Sequence, residues 1–221
     1  MAMTPEERTR IYTEQTTSIY AGIGEFTTAF ELMVDAMRRS LLFLWTRHAN
    51  VDERLFHPAL AGLTADPIAQ VHLATFATAI DLMDNEAAEK EVGQKVLVDI
   101  HRQLKDLIQQ RNKIQHGTWQ VGWAAVDDTD FSVASWGKTV NTKTGARHDS
   151  DQYTREVLDM VIDRCREVTD LINRVSLFLF EQRFSFSRNF VWNGKCVTLN
   201  PACWTFKHLS VHQLDRAASK P

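Results

Sequence analysis

Residues 26–45, FTTAFELMVDAMRRSLLFLW, decide the fold. Their apolar positions, Phe26, Ala29, Phe30, Met33, Val34, Met37, Leu41, Leu44 and Trp45, recur at the three- and four-residue spacing that returns side chains to one face of a helix. Glu31, Asp35, Arg38 and Arg39 lie off the main stripe. A long amphipathic helix follows.

Working outward, Asn50 to Ala65 carries Pro58 and Gly62 and reads as a connection. Asp66 and Pro67 then supply an N-cap and a first-turn proline for a second helix ending near Met83. Asp84 and Asn85 punctuate the chain, and a third helix is expected from about Glu86 to His116, with Gly117 as its stop. In that helix Val92, Val96, Ile100, Leu104 and Leu107 form one stripe, and the next step along it arrives at Arg111. A cation at a core position needs an acceptor, and Glu31 or Asp35 of the first helix are the expected partners.

Thr118 to Val126 and Phe131 to Val140 are rich in Trp, Val and Phe with partial alternation, separated by Asp127 to Asp130. They predict a β-hairpin inserted at about 118–140. The polar stretch Asn141 to Asp151 follows, and Ser150 or Asp151 is the expected cap of a fourth helix whose face carries Val157, Val161, Cys165, Val168, Ile172, Val175 and Leu179. From Phe184 onward helical periodicity fades and aromatic residues accumulate. The segment from Glu181 to Pro221 holds six Lys or Arg against two acids, which suits either an RNA-contact arm or a packed extension. The expected fold is mainly α, a bundle of four or five helices over residues 1–183 with the inserted hairpin, followed by an irregular aromatic and basic extension, 184–221.

Composition narrows the function. A chain that is 44% hydrophobic and 24% charged is ordinary for a globular protein. A formal charge of −3 argues against general coating of polyanions, so any contact with nucleic acid must be local. No apolar run reaches the roughly 20 residues that span a bilayer, and the first residues lack the apolar core of a signal peptide. The three cysteines, Cys165, Cys196 and Cys203, do not make a disulfide framework. A cytoplasmic location without membrane attachment is the expectation.

The helix end Arg111-Asn112-Lys113-Ile114-Gln115-His116-Gly117 resembles the Arg-polar-x3-His signature of the higher eukaryotes and prokaryotes nucleotide-binding (HEPN) superfamily. The long opening helix is similar to that of the family's abortive-infection-like branch. The resemblance implies a HEPN-like helical bundle, a homodimer whose two motifs meet in a cleft, and metal-independent cleavage of RNA in a toxin–antitoxin or phage-defence setting, with an antitoxin or regulatory protein as a further partner. In one branch of the family the signature continues His-x-Tyr. Thr118 stands at that place here, so silencing through a tyrosine is not expected.

The residue types suit that chemistry. Cleavage removes a proton from a ribose 2′-hydroxyl, stabilises charge on phosphate and protonates the departing 5′-oxygen. His116 can act as base or acid near neutral pH. Arg111 offers a rigid fork of donors to phosphate, Asn112 can orient His116 or a phosphate oxygen, and Lys113 adds attraction. On a regular helix Asn112 and His116 stack one turn apart, while Arg111 lies about 140° around from His116. Lys138, Lys143 and Arg147 of the hairpin region are candidate RNA contacts. The alternative is a non-catalytic HEPN module that binds RNA, a nucleotide or a protein partner.

Cys196, Cys203, His208 and His212 form a C-x6-C-x4-H-x3-H series that could bind zinc, but the six-residue gap is long and Trp204 and Phe206 suit packing, so no metal or other cofactor is assigned. His48, His57, His72 and His101 read as surface or satisfied core residues. Trp119, Trp123, Trp136, Trp192 and Trp204 are better placed to fill space between hairpin and helices than to stack on bases. No phosphate-cradling glycine loop, nucleophile elbow or H-E-x-x-H motif occurs.

Overall fold

The computed structural model describes residues 4–49, 52–123, 129–142, 145–179, 181 and 184–202. Helix α1 runs Pro5–Ala49, α2 is the short His57–Ala61, α3 is Ala65–Asp81, α4 is Ala87–His116 and α5 is Arg155–Ser176. Strands β1 (Thr118–Gln120), β2 (Ala134–Thr142) and β3 (Gly145–Tyr153) lie between α4 and α5. The described chain closes with α6 (Phe186–Asn189) and a small antiparallel pair, β4 (Phe190–Trp192) with β5 (Val197–Leu199). The protein is mainly helical, as its periodicity predicts, and among the described residues no helix is long and apolar enough to cross a membrane.

The stripe read from residues 26–45 is the core: Phe26, Phe30, Met33, Val34, Met37 and Leu41 are each at most 1% exposed. Helix α1 packs mainly on α5 and α3, and α4 packs on α3 and α5. Arg155, the first residue of α5, ties that helix to α1 through Glu25 at 2.8 Å and also reaches Asp159 at 2.8 Å. Helix α1 begins about twenty residues before the strong stripe, and these early turns pack on the segment before β2: the Tyr12 ring stands edge-on to Phe131 at 5.2 Å, and Gln15 Oε1 accepts from Phe131 N at 2.7 Å.

The expected hairpin is a three-stranded antiparallel sheet, ordered β1-β2-β3. Thr118 faces Gly137 across β1 and β2, and Thr139 faces His148 across β2 and β3. The polar stretch expected to connect the hairpin to the fourth helix is therefore largely β3. Its side chains are exposed along almost the whole strand, so no apolar alternation marks it. The cap of α5 is accordingly Thr154, whose hydroxyl accepts from Val157 N at 3.4 Å, rather than Ser150 or Asp151. Thr64, not Asp66, occupies the cap position of α3. Residues 124–128 lie outside the described residues.

The described part of the C-terminal extension is packed, not an arm. Phe184, Phe186 and Phe190 are buried. Glu89 of α4 accepts from Phe186 N at 2.8 Å, and Asp99 of α4 accepts from Val197 N at 2.7 Å. Of the candidate zinc set, only Cys196 is described: it is buried, its sulfur accepts from Arg164 at 3.0 Å, and no metal-binding cluster occurs among the described residues. Cys203, His208 and His212 lie outside the described residues. His72 and His101 depart from expectation too. Each keeps a buried Nε2 that meets no partner among the described residues. Burial pushes the His72 imidazole down to about 3, with the nearby His101 acting in the same direction.

Candidate functional site

Helix α4 buries Val96, Ile100, Leu104 and Leu107, and Arg111 extends that line at the helix end. Arg111 is half-buried, and its guanidinium carbon lies 5.9 Å from the centre of the Phe30 ring on α1. Neither expected carboxylate meets it. Glu31 is exposed on α1, and Asp35 pairs with Arg39 at 3.0 Å. The physical reason is that the arginine stem runs along the apolar face, where an aromatic face replaces a carboxylate as the cation's neighbour. Its Nε is buried without a partner among the described residues.

The outer end of the guanidinium turns toward the motif. Arg111 Nη1 lies 3.3 Å from Asn112 Oδ1 and 3.5 Å from His116 Nε2. The long arginine side chain thus spans the angular gap that the helix wheel puts between positions 111 and 116, and all three motif residues converge within one chain. Lys113 reaches sideways to Asp151 of β3 at 3.1 Å.

Three contacts hold the sheet against this helix end. Trp119 Nε1 donates to the Ile114 carbonyl at 2.8 Å, satisfying one of the acceptors that a helix terminus leaves open. The Tyr153 hydroxyl donates to Gln110 Oε1 at 3.5 Å, and the Trp119 and Tyr153 rings stand 5.1 Å apart. The third is the Lys113–Asp151 pair. Gly117 ends α4 as expected, but for a different reason: its φ is −103°, an ordinary extended value, and what requires glycine is space. A Cβ there would overlap the indole of Trp136, which is 4% exposed and whose Nε1 meets no acceptor among the described residues.

Beside His116 the sheet forms an open cleft of about 560 Å³, a size that suits a nucleotide-sized ligand. Register places Thr118, Ser135, Gly137, Thr139, His148 and Ser150 on one face of the sheet, and all six line the cleft with His116. Lys138 borders it and is exposed. Arg147 instead pairs with Asp149 at 2.8 Å, and Lys143 lies outside the described residues. His148 went unnoticed in the sequence because it sits in the polar stretch 141–151, where only strand register reveals which way a side chain faces. Of the tryptophans, Trp119 and Trp136 fill space behind the sheet, while Trp123 is 76% exposed and Trp192 48% exposed. Searches of family models, curated proteins and solved structures found no match to this chain.

Proposed function

We propose that this protein is a metal-independent endoribonuclease of HEPN type, with Arg111, Asn112 and His116 at its centre. The observation that carries the reading is the convergence of Arg111 on both Asn112 and His116 at a helix end that opens onto a polar cleft. A guanidinium beside an imidazole provides a charge for the phosphate and a group that moves protons, which are the two requirements of the reaction. Lys138 supplies a cation at the edge of the cleft. A homodimer, in which two such helix ends share one groove, a cytoplasmic toxin or phage-defence setting, and control by an antitoxin or regulatory protein belong to this reading through the resemblance of the motif.

The test is cleavage of RNA by purified protein in EDTA. Wild type is expected to cleave, and His116→Ala to fall by about 10²–10⁴-fold, the range for removing a positioned acid or base. Wild type and His116→Ala leaving RNA equally intact would sink the enzyme reading. What remained would be a non-catalytic HEPN module that binds RNA, a nucleotide or a partner protein. One observation favours that second reading: Arg111 already has a structural place against Phe30.

A further inference from the structure

We infer that His148 is a second catalytic histidine, the general acid that protonates the leaving 5′-oxygen while His116 acts as base. The inference rests on the ribonuclease reading above. Both imidazoles line the same cleft, although 32 residues of chain separate them. The β2–β3 pairing accounts for their meeting. His148 sits opposite Thr139, but its ring leans diagonally over the neighbouring Gly137, where a Cβ would stand 3.0 Å from His148 Cε1 and 3.1 Å from Nε2. Gly137 in turn faces Thr118 of β1, two residues after His116. The His148 ring therefore sits about one strand spacing, roughly 5 Å, from the strand that leaves His116. A Cβ at position 137 would press on the ring and make it give by a few tenths of an ångström, so the glycine leaves room for it there.

The hydrogen bonds suit these roles. Arg111 Nη1 can only donate, so His116 Nε2 meets it through a lone pair, the form a base requires. When a phosphate oxygen takes over the arginine donor, that lone pair is released. His148 Nδ1 lies 3.3 Å from the Thr139 hydroxyl, which can accept from or donate to that nitrogen and so holds the ring while leaving Nε2 free for a proton to be handed on. In the step, His116 Nε2 takes the proton of the 2′-hydroxyl as the 2′-oxygen bonds to phosphorus. The bond from phosphorus to the 5′-oxygen breaks with its electron pair on that oxygen, and the His148 Nε2 proton passes to it. The products are a 2′,3′-cyclic phosphate end and a 5′-hydroxyl end, and water returns both histidines to their starting states.

The test compares two substrates in EDTA, an oligoribonucleotide and uridine 3′-(4-nitrophenyl phosphate), whose leaving group departs without protonation. Wild type, His116→Ala and His148→Ala are each checked for unchanged thermal unfolding. His148 is exposed on its strand, so its variant should fold. His148→Ala should lose at least about 100-fold on RNA and less than about tenfold on the nitrophenyl ester, whereas His116→Ala should lose both. RNA cleavage by His148→Ala within about threefold of wild type, or equal losses on the two substrates, overturns the assignment while leaving the ribonuclease reading intact. No cleavage of either substrate by wild type overturns both.

Discussion

Arg111 and Phe30 meet across the packed faces of α4 and α1, with the guanidinium carbon 5.9 Å from the ring centre. The contact gives the motif arginine a structural duty beside any chemical one. Arg111→Ala is expected to lower unfolding free energy by about 1–2 kcal/mol, combining lost stem packing with a cation–π term of about 0.5–1 kcal/mol at this half-exposed position. A buried carboxylate stranded by the same change would have cost about 3–5 kcal/mol, so the size of the loss separates the two pictures. Urea unfolding of Arg111→Ala, Phe30→Leu and the double variant measures the coupling. A coupling near zero would remove the aromatic contact from the account.

Gly117 and Trp136 make the junction between α4 and the sheet. Because a Cβ at position 117 would overlap the indole, Gly117→Ala must displace either the tryptophan or the helix end. Overpacking of this kind costs about 1–3 kcal/mol, and the displacement would also shift His116 relative to the cleft. Both stability and RNA cleavage should therefore fall, with the loss of cleavage exceeding that of an exposed control such as Gly24→Ala, where a Cβ meets nothing within 4 Å. Unchanged stability of Gly117→Ala would show that the close approach is not a constraint.

The helices were legible because a core-facing stripe must repeat with the helix period. Residues 26–45 and 92–107 carry that repeat so strongly that the expected helix from about Glu86 to His116 matches α4, Ala87–His116, to within a residue. The motif at 111–116 was legible as residue types at a helix end. Its geometry was not, because a helix wheel fixes the Cβ directions but not the reach of an arginine side chain. Strand β3 was illegible for a different reason: a strand exposed on nearly every position buries nothing and so leaves no alternation. His148 was hidden with it. The partner of Arg111 is illegible for a third reason: a cation at a core position can be met by a carboxylate or by an aromatic face, and the helix pattern offers both on α1.

His72 gives the fold a dependence on pH that is independent of the candidate site. It is buried on α3, 2% exposed, stacked at 4.2 Å on Phe76 and close to His101, whose own imidazole is pushed down by burial and by Lys105, with Asp66 opposing. In the unfolded chain His72 takes up a proton near its ordinary value of 6.5, whereas in the folded protein burial holds it down to about 3. Between those values the unfolded state binds the extra proton. Stability is therefore full above 6.5, falls as pH drops through the window, and levels off below about 3. The slope from this residue is about 1.4 kcal/mol per pH unit. Urea unfolding at pH 7 and pH 5 should show wild type losing about 2 kcal/mol more than His72→Leu, with a smaller slope of the same sign remaining from His101. Equal losses in the two proteins would mean that the folded state accommodates a charged His72.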